Sequence, residues 1–192
     1  MAFRPTLWPT VFTIPALIAL VLLGTWQIQR LHWKQDLIDK LQTRSTAAPI
    51  APPAEGSDLE RFEFQRVSVT GVFDHDRELF LIGRELNGKP GLHIMTPLKP
   101  SDGSSAILVD RGWVPFEARD AKTRSGGQVA DAVTVEGIVR LEKTPGYFTP
   151  ENEPGNNTWY FVETAGMSEA AGTHLRPGYY IVADVSDLPG GL

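Results

Sequence analysis

The sequence predicts a mainly β protein: an antiparallel sandwich or small barrel of about seven strands, preceded by one N-terminal transmembrane helix. Two observations support this fold class. Residues 5–29 carry no charge, and beyond residue 60 short β-prone runs alternate with turns rich in Gly, Asp, Asn and Pro. Because no long amphipathic helix separates those runs, the pattern favours antiparallel pairing over βαβ units.

The uncharged segment has the length and flanking residues of a membrane anchor. A helix from Trp8 to Trp26 covers about 27 Å, close to the ~30 Å hydrocarbon core of a bilayer. The two tryptophans would then lie at opposite interfaces. Residues after Leu23 are bulky or polar where a signal peptidase requires small ones, so we expect an uncleaved anchor that Pro15 kinks. The alternative is a buried core helix.

Three parts follow from the composition along the chain. Residues 1–42 are the transmembrane anchor and an amphipathic stalk, because the helical pattern continues beyond Trp26 without glycine or proline. Residues 43–60 form a Pro/Ala-rich linker, and residues 61–192 form one β domain. The predicted strands are 62–72, 78–84, 91–98, 106–115, 133–141, 158–163 and 178–184, with a short helical turn at 167–172.

Charge and cysteine content exclude several classes of function. The net charge of -5 over 192 residues, without a basic stripe, argues against a nucleic-acid partner. The absence of cysteine excludes disulfides, zinc thiolate sites, iron-sulfur ligation and thiol catalysis. The motifs of serine hydrolases, zinc proteases and phosphate-binding loops are absent as well, which disfavours these classes of enzyme, although scattered Ser, His and Asp residues could assemble in three dimensions.

Two groups of residues could carry chemistry, and each also has a plain structural interpretation. Asp74, His75 and Asp76 could bind a cation or form a site with a distant serine, but Asp-rich tripeptides between strands are typical of turns. His93 and Met95 share a strand face and would suit Cu(I) or haem iron, or simply occupy a half-exposed strand. The alternative functions are therefore a membrane-tethered enzyme around Asp74 and His75 and a copper-handling protein using His93 and Met95.

Two further segments stand out. In the strand Arg111-Gly112-Trp113-Val114-Pro115, alternation places Arg111 and Trp113 on one face, where cation-π stacking is possible. The second segment is a proline-braced polar loop that leads into an aromatic strand, and it reads Pro150-x-Asn152-x-Pro154-x-x-Asn157-x-Trp159.

Together with the end of the anchor, these segments resemble the Surfeit locus protein 1 family. The anchor exit reads Leu23-Gly24-Thr25-Trp26-Gln27-x-x-Arg30-Leu31-x-Trp33-Lys34, and the three segments occur in the family's order. The resemblance implies an assembly factor, not an enzyme, that helps mature the haem centre in the catalytic subunit of haem-copper cytochrome c oxidase. Bacterial members of the family have been associated with haem a.

The resemblance also implies candidate contact residues. We expect them to meet at the membrane surface, where Arg30 and Arg111 would pair with haem propionates or partner carboxylates. The partner- or haem-facing candidates are Trp26, Gln27, Arg30, Arg111, Gly112, Trp113, Pro150, Asn152, Pro154, Asn157 and Trp159. Family members usually end in a second transmembrane helix with a histidine. Because this sequence stops at Leu192, we expect a truncated or divergent member, in which His32 or His93 would be a speculative replacement ligand.

The charges that follow the anchor bear on which side of the membrane the β domain lies. Arg30, Lys34, Lys40 and Arg44 follow the anchor, and the positive-inside rule alone would place the β domain in the cytoplasm. The family resemblance implies the opposite side: the periplasmic face of the bacterial cytoplasmic membrane, or the mitochondrial inner membrane in a eukaryote.

Overall fold

The computed structural model describes residues 7–185, and the chain divides into two compact units after Thr43. The first unit contains most of helix α1 (Leu7–Ser45), which runs through Pro15. By length and composition α1 could cross a membrane, and its most apolar window is fully exposed, unlike a buried core helix. The helix continues past Trp26 as expected. Arg4 and the chain end at Leu192 lie outside the described residues.

The second unit contains seven strands and one short helix. The strands are β1 (Arg66–Phe73), β2 (Leu79–Leu86), β3 (Lys89–Pro100), β4 (Ile107–Pro115), β5 (Val133–Leu141), β6 (Thr158–Trp159) and β7 (Tyr179–Ala183), and helix α2 is Thr164–Ala171. They form one sheet in the order β1-β5-β7-β4-β3-β2-β6, and β1 also pairs with β3. That additional pairing closes β1, β5, β7, β4 and β3 into a small barrel, which confirms the mainly β fold class.

Two strand pairings differ from the expected antiparallel arrangement. β6 pairs with β2 in parallel and β7 pairs with β4 in parallel, so the sheet is mixed. Parallel neighbours require long connections. Both β6 and β7 arrive after such connections, the first through the loop beyond β5 and the second through α2. β6 ends at Trp159, before the predicted 163, because the chain turns there toward α2.

The barrel interior is filled by alternating apolar side chains. Val67, Leu98, Val109, Val139 and Ile181 are fully buried and come from five different strands. Each such side chain stabilises the fold by about 1.5–3 kcal/mol when buried. A second apolar cluster packs α2 against the outer face of β2, β3 and β4, and it includes the fully buried Met167 and Trp159. This packing fixes the start of β2, where the candidate site lies.

The Pro/Ala-rich segment lies along the barrel. Ile50 pairs with Val67 through main-chain bonds on both sides, at 3.1 Å to the carbonyl of Arg66 and 2.9 Å from the amide of Ser68. Farther along, the carbonyl of Pro53 accepts hydrogen bonds from Arg176 and Tyr179. The segment after Thr43 therefore belongs to the second compact unit, and the domain boundaries 1–42, 43–60 and 61–192 stay a prediction.

Candidate functional site

A β-bulge in β4 orients the strand motif. Met95 pairs with Asp110 and His93 pairs with Trp113, so Arg111 and Gly112 together oppose a single residue of β3. Gly112 has a φ of 122°, which L side chains rarely adopt. The expectation that Arg111 and Trp113 share one strand face is wrong, because the extra residue reverses the alternation between them.

Arg111 is buried at the end of the barrel and has defined partners. One guanidinium nitrogen donates to the carbonyl of Gly127 at 2.7 Å, and the other lies 3.5 Å from a carboxylate oxygen of Glu78. The guanidinium also lies 4.9 Å from the ring centroid of Phe73, within cation-π range. The expected cation-π contact thus forms with Phe73 and not with Trp113. The proposed pairing of Arg111 with an external carboxylate stays a prediction.

Glu78 is the centre of a buried ionic cluster. Arg124 donates to one oxygen at 2.7 Å and Gln128 donates to the other at 3.1 Å, while Glu78 itself is only 7% exposed. We name the group of His75, Glu78, Arg111, Arg124 and Gln128 the Glu78 cluster. It places two guanidinium charges against one carboxylate.

In the Glu78 cluster, burial and ion pairing shift the pKa of Glu78 in opposite directions. Burial alone would raise the pKa of Glu78. The hydrogen bonds from Arg124 and Gln128, together with the charges of Arg124 and Arg111, outweigh burial and lower the pKa below its ordinary 4.5. For Arg111, burial lowers the pKa against the attraction of Glu78. Glu78 is therefore held as a carboxylate.

The Asp74-His75-Asp76 segment is a turn, with a 3₁₀ turn at His75–Arg77. His75 Nε2 lies 3.0 Å from the carbonyl of Val129, and Nδ1 lies 3.4 Å from Arg111. The tautomer with hydrogen on Nε2 satisfies both contacts, donating to the carbonyl and accepting from the guanidinium. Asp74 pairs with Lys99 at 2.7 Å. Among residues 7–185, no three His, Asp or Glu side chains lie close enough to hold a metal ion.

The proline-braced loop is held by its asparagines. Asn157 has a left-handed φ of 49°, its side-chain NH2 group donates to the carbonyl of Glu78 at 2.8 Å, and its side-chain oxygen accepts from the indole of Trp159 at 3.2 Å. The side-chain oxygen of Asn152 accepts from the amide of Tyr160 at 2.9 Å. Pro154 begins a 3₁₀ turn in the same loop. These side chains complete main-chain hydrogen bonds that a loop would otherwise leave to water.

The strand motif and the loop motif therefore meet at one residue, Glu78. Its side chain binds Arg111 and its carbonyl binds Asn157. A cleft of about 430 Å³ opens beside it, lined by Asp76, Arg77, Glu78, Leu79, Pro154, Asn157, Ala170 and Ala171. Sequence reasoning did not identify Glu78. The one available signal was an arginine on a largely apolar strand, since a buried guanidinium requires a counter-ion and its neighbour Asp110 points to the other face of the strand.

His93 and Met95 share a face of β3, as expected. His93 Nδ1 lies 2.9 Å from both carboxylate oxygens of Asp110, and Met95 is fully buried in the apolar cluster beneath α2. The Trp113 indole lies across Gly91, and its Nε1 is buried with no hydrogen-bond partner in the part of the chain that the structure describes. Met95 therefore functions as a core side chain.

The anchor-exit residues Trp26, Gln27, Arg30 and His32 lie on α1 in the first unit. The guanidinium of Arg30 lies 5.3 Å from the ring centroid of Trp26, one helical turn away. Trp26 is half exposed, as an interfacial tryptophan would be. That these residues meet the strand and loop motifs at the membrane surface stays a prediction.

The resemblance implies contact with haem a, and an imidazole with access to a pocket is the common way for a protein to ligate haem iron. Neither the cleft beside Glu78 nor a second cleft of about 380 Å³ beside Arg176 is lined by a histidine. His75 has both ring nitrogens engaged. In His93 only Nδ1 contacts Asp110, which does not by itself prevent Nε2 from binding a metal, but His93 lines neither cleft. Neither of these two clefts offers a histidine to haem iron, so the function proposed below is not routed through such ligation.

Comparison with known proteins identifies the family. The model of the SURF1 family matches residues 14–191. Surfeit locus protein 1 of Mus musculus is 39% identical over 184 residues, which are 88% of this chain and 59% of the relative. The Homo sapiens protein is 34% identical, covering 88% and 61%, and the Takifugu rubripes protein is 34% identical, covering 88% and 76%. The chain spans about three fifths of the mouse and human relatives. With a family match over nearly all of its length, this chain belongs to the SURF1 family.

Proposed function

We propose that this chain is a membrane-anchored assembly factor for haem-copper cytochrome c oxidase, which assists maturation of the haem centre in the catalytic subunit. The observation that carries the proposal is the family match over residues 14–191, which includes all three motif segments. Helix α1 supports the membrane part, because it is long and apolar enough to span a bilayer. The barrel unit would lie on the periplasmic side of a bacterial membrane, or at the mitochondrial inner membrane in a eukaryote.

The candidate residues fall into two groups by their exposure. Arg111, Asn157 and Trp159 are buried or half-buried and satisfied within the barrel unit, so we assign them a positioning role. They hold the proline-braced loop against the start of β2. Pro150 and Pro154 are exposed on that loop, and Pro154 lines the cleft beside Glu78. We assign the rim of this cleft the contact with the oxidase subunit.

The rim of the cleft carries charged side chains, as a docking surface for a protein partner would. Asp76 and Arg77 are both exposed beside it, and Arg77 also pairs with Asp74 at 3.1 Å and donates to the carbonyl of Ala171, so the rim carries charges of both signs. Such rim charges set partner choice and association rate more than affinity. Its apolar lining comes from the buried Leu79 and Ala171 and from the exposed Ala170. A partner segment with an apolar residue flanked by charges would fit this arrangement.

The chain acts through binding and not through catalysis in this proposal. An enzyme around Asp74 and His75 would need a nucleophile or base that is available, but Asp74 pairs with Lys99 and His75 contacts Val129 and Arg111. A copper site would need Met95, which is fully buried. These contacts favour the assembly function over both alternatives.

The test is complementation of cells from which the gene for this chain has been deleted. We expect the deletion to lower cytochrome c oxidase activity in isolated membranes and the intact chain to restore it. Asp76→Lys should reduce the restoration at unchanged protein abundance, because it reverses a charge on the cleft rim. Asp131→Lys, an exposed carboxylate after the 3₁₀ turn at Ala121–Gly127, is the matched control. Unchanged oxidase activity in the deleted cells would overturn the proposal.

A further inference from the structure

We propose that the turn Gly146–Thr149 inserts Tyr147 and Phe148 into the interfacial layer of the bilayer, which gives the barrel unit a membrane contact of its own. The inference rests on the proposed membrane attachment of the chain. It concerns a different segment from the cleft beside Glu78.

Tyr147 and Phe148 are the most exposed aromatic side chains that the structure describes. Tyr147 is 95% exposed and Phe148 is 92% exposed. Beyond residue 44 only Val185, the last described residue, is as exposed among the large apolar side chains that the structure describes, and the others are at most half exposed, for example Leu86 at 49% and Phe116 at 45%. Adjacent aromatic rings left in water are costly for a loop that needs only polar residues. Their exposure therefore indicates that another molecule or surface covers them.

The backbone presents the two rings at the tip of a turn. The amide of Thr149 donates to the carbonyl of Gly146 at 2.9 Å, which closes a β-turn with Tyr147 and Phe148 at its two central positions. The rings contact each other edge to face with centroids 5.1 Å apart. The two aromatic side chains form a single convex tip.

The base of this loop is fixed to the barrel. The amide of Glu142 donates to the carbonyl of Gly178 at 3.0 Å, and Glu142 also accepts a hydrogen bond from the amide of Thr164. On the other side, Asn152 accepts from the amide of Tyr160 at 2.9 Å. Pro145 and Pro150 flank the turn and restrict its backbone. The tip is therefore held away from the barrel surface.

The shape and chemistry of the tip suit a lipid interface better than a protein. Protein interfaces bury about 800 Å² on each partner, which a convex tip of two side chains does not offer by itself. Aromatic rings, and tyrosine with its hydroxyl in particular, are enriched where hydrocarbon meets headgroups. Lys143 and Glu151 flank the turn and are exposed, so they would remain at headgroup level. Helix α1 has the length and composition to hold the chain at a bilayer.

The test uses the full chain in vesicles of phosphatidylcholine and phosphatidylglycerol. Because the chain contains no cysteine, single cysteines can be labelled selectively with a polarity-sensitive fluorophore. We would label Thr149→Cys beside the tip, Phe116→Cys on the barrel as the matched control, and Leu20→Cys within α1, and measure quenching by brominated lipid. Quenching of the label at position 149 is measured once with Tyr147 and Phe148 present and once in the double variant Tyr147→Ser, Phe148→Ser.

We expect the label at Thr149 to be quenched roughly half as strongly as the label at Leu20, because interfacial groups lie ~5–10 Å deep. Quenching at Thr149 should fall to the level at Phe116 when both aromatics are serine. Those two side chains are exposed, so the double variant should fold normally.

Equal quenching at Thr149 and Phe116, with strong quenching at Leu20, would overturn the insertion and leave the membrane anchor standing. Protection of the label only after the oxidase catalytic subunit is added would assign the tip to a protein partner and also overturn the insertion. Absent quenching at Leu20 would overturn both the anchor and the insertion. The quenching measurements are first made in vesicles without oxidase, so they would be unaffected if the proposed assembly function were wrong.

Discussion

Replacing Glu78 with glutamine removes a negative charge that pairs with the guanidinium groups of both Arg111 and Arg124. Glutamine keeps the volume and one acceptor oxygen, but its NH2 group must face one of the two donors, Arg124 or Gln128, so the change removes the charge together with one hydrogen bond. Breaking a buried ion pair by removing one partner typically costs ~3–5 kcal/mol, because the remaining charge stays desolvated. Glu78 and both arginine side chains are each less than a tenth exposed, so little water is present to compensate.

We expect a loss near the lower end of that range, about 3 kcal/mol, since glutamine retains a hydrogen-bond acceptor. For a domain of this size, 1 kcal/mol shifts the thermal midpoint by about 2–4 °C, so the midpoint should fall by roughly 6–12 °C. The assay is thermal unfolding of the full chain in detergent, followed by near-ultraviolet circular dichroism.

The matched control is Glu136→Gln on the barrel surface. Glu136 pairs with Arg66 at 2.9 Å, but its side chain is 44% exposed. An exposed pair contributes about 0–1 kcal/mol, so the midpoint should change by no more than a few degrees. If Glu78→Gln lowered the midpoint no further than Glu136→Gln, the buried charge balance would not be what stabilises this end of the barrel.

Three further predictions follow. The pKa of Glu78 is lowered in the folded state, so the ionised side chain stabilises the fold fully above pH 4.5, its ordinary pKa, and this stabilisation is lost as the pH falls from 4.5 through the folded pKa. Urea unfolding of the intact chain should therefore show a lower free energy of unfolding at acid pH, and Glu78→Gln should show a smaller decrease. Asn157→Ala should cost ~2–3 kcal/mol, because it removes the hydrogen bonds to Glu78 and Trp159 and places alanine at a left-handed φ. Asn157→Gly removes the same bonds but tolerates that φ, so it should cost only ~1–2 kcal/mol. Equal losses in thermal unfolding would show that the left-handed backbone does not contribute to the difference. Gly91→Ala should cost ~1–3 kcal/mol because the added methyl group overlaps the Trp113 indole and the neighbouring strand, and an unchanged tryptophan emission spectrum and midpoint would contradict that close approach.

Local patterns predicted the strands well because alternation and turn residues are encoded within a few positions. The predicted strand 133–141 coincides with β5, and the other strands differ by a few residues at their ends. Closure into a barrel was not predictable in the same way. It depends on pairings such as β1 with β3 and β4 with β7, which join segments far apart in the chain and leave no local periodicity.

The candidate site was predicted in part. The strand and loop motifs led to Arg111 and Asn157, and the structure joins both through Glu78. Glu78 itself gave no local signal, because its partners are distant in sequence. The bulge at Gly112 did have a signal, since a glycine within a strand pattern often marks one. Reading that glycine as a bulge would have placed Arg111 and Trp113 on opposite faces.

The most direct test of the central claim is the haem a content of the oxidase catalytic subunit, purified from cells with and without this chain. The measurement is the ratio of haem a absorbance to subunit protein. We predict a lowered ratio without the chain and a restored ratio when the intact chain is returned. An equal ratio in both preparations would contradict a role for this chain in oxidase maturation.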